Sequence, residues 1–117
     1  KEETYLNDTI RKIERWAEDR NLIEGSKPAK QLNKLAEEMN ELVTGVAKYD
    51  YEASFPDGDP DIMLDEVADA IGDMAVVLTI IARQLGLKFE ECVDSAYDEI
   101  KDRKGKMVGG IFQKDAP

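Results

Sequence analysis

Two short runs of acids carry the chemistry this chain is able to do. Glu37, Glu38 and Glu41 lie in KQLNKLAEEMNELVTGVAKY; Glu66, Asp69 and Asp73 lie in DIMLDEVADAIGDMAVVLTIIARQLG. Carboxylates three or four positions apart stand on one face of a helix. Unpaired negative charges gathered away from water are costly, and a cation removes that cost. A site built only of carboxylate oxygens suits a hard ion: Mg²⁺, Mn²⁺ or Ca²⁺.

Composition narrows the alternatives. The chain has 117 residues, no histidine, one cysteine and a net charge of −10. Without histidine there is no Ser-His-Asp triad, no His-based zinc centre and no imidazole acid or base. Proton transfer is left to Asp, Glu, Lys, Tyr or water. The lone Cys92 forms neither an intrachain disulfide nor a Cys-rich cluster, which fits a reducing compartment. No transmembrane run and no signal peptide is legible, so the expected setting is cytoplasmic, away from membranes. The acidic balance argues against a nucleic-acid polymer as partner.

The elements that must position the acids read as four helices in one domain spanning 1–117, an all-α class. The first is predicted from about Asn7 to Arg20, with Leu6, Ile10, Ile13, Trp16 and Ala17 at helical spacing. The second starts near Pro28 and runs to about Tyr49, with Leu32, Leu35, Ala36, Met39, Leu42, Val43 and Val46 as its apolar stripe. Residues 50–61, rich in Pro, Gly and Asp, read as a loop. The third starts around Asp59-Pro60 and runs to about Leu85, stopped by Gly86. The fourth covers about Lys88 to Lys104. The tail from about 105 has no helical period and reads as irregular, or as a short strand pair.

On a helical wheel Glu66, Asp69 and Asp73 fall within an arc of about 60°. Val76, Val77 and Ile80 continue that arc, so the acids are expected to face inward with the core. Glu38 lies at the margin of the apolar arc of the second helix, Glu41 one turn on, and Glu37 further round. A solvated acidic face is the competing reading, and for the second helix alone the two readings weigh equally. A di-iron bundle is disfavoured, because it would normally use Glu-x-x-His on two helices.

Glu37-Glu38-x-x-Glu41 followed by Glu66-x-x-Asp69, with the flanks KQLNKLAEEMNEL and DEVADAIGDM and the ending AYDEIKDRKGKMVGGIFQK, resembles the all-α MazG-like nucleoside triphosphate pyrophosphohydrolases. The resemblance runs from about Ile10 to Lys114. It implies a four-helix bundle that hydrolyses a nucleoside triphosphate to the monophosphate and pyrophosphate with Mg²⁺, Mn²⁺ being a substitute. Carried over by position, it implies Glu38, Glu41, Glu66 and Asp69 as metal ligands and Glu37 as the residue that orients or deprotonates the attacking water. Asp73 lies outside the minimal motif and is assigned to a second metal site or to support of the first. The resemblance also implies a homodimer or a dimer of dimers, as does a core that is thin for four helices.

Other residues are candidates for substrate contact. Asn33 and Lys34, one turn before the Glu pair, are candidates to reach phosphate or ribose, with plain solvent exposure weighing equally. Lys101, Arg103 and Lys104, with Lys106, make a basic patch, read either as a phosphate contact or as cations favoured at a helix C-terminus. Trp16 is a candidate for stacking on a base, against the commoner fate of a core tryptophan. Specificity for dUTP/dCTP or phosphoribosyl-ATP stays open. So does a non-enzymatic helical module that binds metal or a basic partner.

Overall fold

The computed structural model describes residues 2–116, with side chains from Tyr5 to Ala116. Four helices appear in order: α1 (Glu2–Asp19), α2 (Pro28–Ala53), α3 (Leu64–Gln84) and α4 (Phe89–Ile100). A 3₁₀ turn, Pro60–Met63, leads into α3, and the strands β1 (Gly105–Val108) and β2 (Ile111–Lys114) close the chain. The chain is all-α in class, with one appended hairpin. No single helix among the described residues is long and apolar enough to cross a membrane.

The boundaries follow local chemistry. Pro28 opens α2 at a position that lacks a partner for an N–H in any case. The helix continues four residues past Tyr49, into the segment expected to be loop. Asp50-Tyr51-Glu52-Ala53 contains neither Gly nor Pro, and the break comes only as Pro56 approaches. The Ser54 hydroxyl donates to the Tyr51 carbonyl at 2.6 Å there. The Asp59-Pro60 start is real, but its first turn is wound as 3₁₀ before α3 proper begins. α4 ends at Ile100, earlier than expected. Beyond it Gly109 and Gly110, at φ +57° and +80°, make the left-handed two-residue turn of a β-hairpin.

The core is small and lies where α1, α2 and α3 meet. Ile10 and Ala17 of α1, Met63, and Ala70, Val77, Ile80 and Ala82 of α3 are its buried apolar residues. From Met74 to Ile81 the third helix is the most covered part of the protein, as its apolar run predicts; Thr79 is buried there with its hydroxyl donating to the Ala75 carbonyl at 2.7 Å. The apolar stripe of α2 behaves differently. Leu35 and Leu42 are half-buried, while Leu32, Met39, Val43 and Val46 are exposed. The side of α2 that meets α3 is centred instead on Glu38 and Gly45, about 20° apart on the wheel.

α4 is tied to α1 by charge rather than by core. Arg11 bridges buried Glu14, at 2.6 Å, and Glu90 at the start of α4. No residue of α4 or of the hairpin is buried.

Candidate metal centre

Gly45 sets the geometry. A Cβ built there would meet Val67 Cγ2 at 3.1 Å, so α2 and α3 approach closely at this level. When two antiparallel helices touch along a narrow line, side chains at the flanks of that line project to the same side. The flank beside Glu38 carries Glu41 from α2 and Glu66, Asp69 and Asp73 from α3. These four, with Asn40 and Thr44, line one open cleft of about 460 Å³.

Glu38, Glu41 and Asp73 each bring an oxygen within 4.8 Å of the others. Opposite ligands of an octahedral Mg²⁺ stand about 4.2 Å apart, and those of Ca²⁺ about 4.8 Å. The three carboxylates are close enough for side-chain rotation to bring them to one ion. Glu38 supplies the sharpest test of fit. It is 4 % exposed, and its Oε2 is buried with no hydrogen-bond partner. An ionised, buried and unpartnered oxygen is costly, and a cation in the cleft would complete it. An all-oxygen donor set with open space beside it fits a hard divalent ion.

Lys34 is the cation the chain itself offers. Its Nζ lies 3.5 Å from Glu38 Oε1 and 3.7 Å from Glu37 Oε2. The field of Glu37, the hydrogen bond to Glu38, and the charges of Glu38 and Glu41 hold its pKa above the ordinary lysine value, against a smaller opposing effect of burial. Lys34 is thus firmly protonated at neutral pH. It engages one Glu38 oxygen and leaves the other free.

The expectation that Glu66, Asp69 and Asp73 face the core is corrected. All three are exposed. They share the arc of Ala70, Val77 and Ile80 on α3, but those residues are covered and the acids are not: at their level the arc forms the cleft wall. Glu37 does not line the cleft. Its side chain is largely exposed and paired with Lys34, about 40° round the helix from Glu41.

Trp16 is not a core residue either. At 44 % exposed, it lines an apolar recess of about 400 Å³ with Thr9, Lys12, Ile13, Val76 and Asp73. The Arg20 guanidinium sits 4.5 Å from its ring centroid. Asp73 belongs to both the recess and the acid cleft. A further apolar hollow joins Trp16 and Val76 to Lys34. Lys101, Arg103 and Lys104 line none of these spaces; Lys101 pairs with Asp98 at 3.4 Å. Asn40 and Thr44 were not anticipated as cleft residues. Their signal was an i, i+4 spacing on the flank that also holds Glu37 and Glu41.

Comparison with known proteins agrees with this geometry. Over 79 residues, 68% of the chain, the sequence is 47% identical to an "Uncharacterized 18.2 kDa protein in rep-hol intergenic region" of Haemophilus phage HP1 (strain HP1c1). The match takes in 40% of that relative's length. No solved structure matches the chain. Residues 26–108 match the family described as MazG nucleotide pyrophosphohydrolase domain, a span that holds all six acids and both helices of the cleft. The chain belongs to the MazG nucleotide pyrophosphohydrolase family.

Proposed function

We propose that the protein is a Mg²⁺-dependent nucleoside triphosphate pyrophosphohydrolase that releases a nucleoside monophosphate and pyrophosphate. The observation that carries the reading is buried Glu38, whose Oε2 has no hydrogen-bond partner and whose carboxylate brings an oxygen within 4.8 Å of Glu41 and Asp73 on the cleft wall. Glu38, Glu41, Glu66, Asp69 and Asp73 would hold divalent metal. When bound, the metal supplies charge neutralisation at the phosphoryl oxygens and makes water a better nucleophile.

The chain's own residues divide the remaining work. Glu37 stands one position from Glu38, exposed and paired with Lys34, and orients or deprotonates the attacking water. Lys34 is held at the acids by Glu38. With Glu38 engaged by a divalent ion, the Lys34 ammonium would be free to reach a phosphate oxygen. The recess at Trp16 opens beside Asp73, so a base stacked on the indole would hold its phosphates over the acid cleft. Water attacks the α-phosphorus, the bond to the bridging oxygen breaks, and pyrophosphate carries away the electron pair. Lys101, Arg103 and Lys104 are assigned to the phosphates.

Assembly belongs to the same reading. Leu64, Ile71, Leu78 and Leu85 recur every seven residues on α3, all exposed. Leu32, Met39 and Val46 do the same on α2, with Val43 beside them. Both stripes lie on the flank opposite the acids. Heptad-spaced apolar stripes on paired helices are the pattern of a bundle seam, which supports a homodimer, itself able to pair again.

A panel of nucleoside triphosphates with Mg²⁺, including dUTP, dCTP and phosphoribosyl-ATP, read by pyrophosphate release, tests the function. Turnover of at least one is expected, with a loss of roughly 100-fold or more in Glu38→Gln and Asp69→Asn. Absence of turnover across the panel, or full turnover in both variants, would overturn the assignment.

A further inference from the structure

The hairpin that follows α4 makes no contact with the described helices that precede it. No Cα of β1 or β2 lies within 8 Å of a Cα in any helix among the described residues. Nothing from Phe89 to Lys114 is buried. Yet the hairpin is not a polar tail: Met107 and Phe112 pair on one of its faces and Val108 and Ile111 on the other, all exposed. A two-stranded hairpin alone in water is marginal at best. These side chains call for a surface, and their own protomer supplies none.

Charge says which surface. Between 101 and 114 stand Lys101, Arg103, Lys104, Lys106 and Lys114 against Asp102 alone, a net +4. The rest of the chain carries −14 of a total of −10. Four carboxylates, Glu41, Glu66, Asp69 and Asp73, line the α2/α3 cleft.

The cations do not reach that cleft in their own copy. Asp69 and the end of α3 at Gln84 are about 22 Å apart along the helix. α4 then turns by 101° from the axis of the preceding helical segment and runs about 18 Å outward. Added at nearly a right angle, these put Lys101 roughly 28 Å from Asp69, beyond the span of a four-methylene side chain.

We propose that this segment is an exchanged arm: the hairpin of one copy docks on a second copy of the chain and brings Lys101, Arg103 and Lys104 to that copy's acid cleft. The role of the cations toward phosphate rests on the function proposed above; their placement in trans does not. A site completed this way hydrolyses nucleotide only when two copies are joined.

Two measurements decide it. The first uses no activity. Equal amounts of ¹⁵N-labelled and unlabelled protein are co-refolded and treated with a carbodiimide, which joins an amine to a carboxylate in direct contact. Isotopically mixed peptides linking Lys101 or Lys104 to Glu41, Glu66 or Asp69 are expected. Links from these lysines confined to one isotope, or running only to acids outside the cleft, would overturn the exchange.

The second is co-expression of a Glu38→Gln chain with a Lys101→Ala/Arg103→Ala/Lys104→Ala chain, differently tagged. In trans, each mixed dimer holds one intact cleft served by one intact arm, and about a quarter of wild-type activity returns. Activity no greater than the sum of the parents places the arm in cis. Wild-type protein without turnover would defeat the proposed function, while the cross-link still decides the arm.

Discussion

Glu38 is the residue on which structure and chemistry pull in opposite directions. Its neighbours Gly45, Leu35 and Leu42 treat it as part of the α2/α3 contact, while its second oxygen finds no donor. A charge in such a place costs folding free energy, and the proposed metal would offset that cost. Replacement by an apolar residue of similar size should therefore stabilise the metal-free protein. For Glu38→Met the expected gain is about 1 kcal/mol, or a melting temperature higher by roughly 4 °C without metal. The same variant should lose the upward shift that millimolar Mg²⁺ or Mn²⁺ gives the wild type. Differential scanning fluorimetry with and without metal reads both.

Lys34 makes the companion prediction. It now occupies the acids a metal needs, so Lys34→Met should bind Mn²⁺ more tightly while raising KM for nucleotide. Tighter metal binding with unchanged KM would remove Lys34 from the substrate site. Its raised pKa carries a sign as well: the stabilisation it gives is fully present below about pH 10.4 and is lost only as pH rises through the raised folded value. From pH 6 to 9, then, any change in activity or stability must come from other groups.

At the scale of elements, the pairing of α2 with α3 is the decisive fact, and Gly45 is its narrowest point. A Cβ at 3.1 Å from Val67 forces a small shift; the branched side chain of Gly45→Val would force the helices apart. Overpacking of this kind costs about 1–3 kcal/mol. It should also weaken Mn²⁺ binding, since Glu41 and Asp73 come from opposite helices. A Gly45→Val protein with normal metal affinity would show that the helix spacing does not set the cleft.

Much of this element was legible in the sequence, because acid spacing, apolar period and Pro28 all obey the same helical geometry. The existence and order of the four helices follow from it, and so does the gathering of the acids. What escaped was which part of each wheel would be covered. Glu66, Asp69 and Asp73 share an arc with Val77 and Ile80, but burial is decided by the neighbour, and no neighbour covers the α3 flank at the acid level. The same reason explains Trp16, whose spacing with Ile10 and Ile13 suggested core while the recess beside Asp73 leaves its ring open. A single-chain wheel also gives the α2 stripe to the core, although Met39 and Val43 look away from α3.

The whole molecule is more open than its length requires. Its radius of gyration is 17.5 Å, against about 13 Å for a compact chain of this size. The exposed heptads of α2 and α3 add apolar surface that a lone protomer leaves wet. Ile71→Glu with Leu78→Glu should convert a dimer to a monomer in size-exclusion chromatography with light scattering. A wild-type monomer at micromolar concentration would contradict it. Within one protomer the Arg11 bridge is the main tie from α1 to α4. Arg11→Ala strands buried Glu14. Because Arg11 is itself about a third exposed, the expected loss is moderated to about 2 kcal/mol, seen as a melting temperature lower by roughly 8–10 °C.

Carboxylates from two helices are proposed to converge on one divalent ion. Titration with Mn²⁺, following the free ion by its paramagnetic resonance, tests it most directly when wild type is set beside Glu38→Gln, Glu41→Gln and Asp73→Asn. Saturable binding that weakens at least about tenfold in each variant is the predicted result. Binding that is absent in the wild type, or indifferent to substitutions on either helix, would contradict the account.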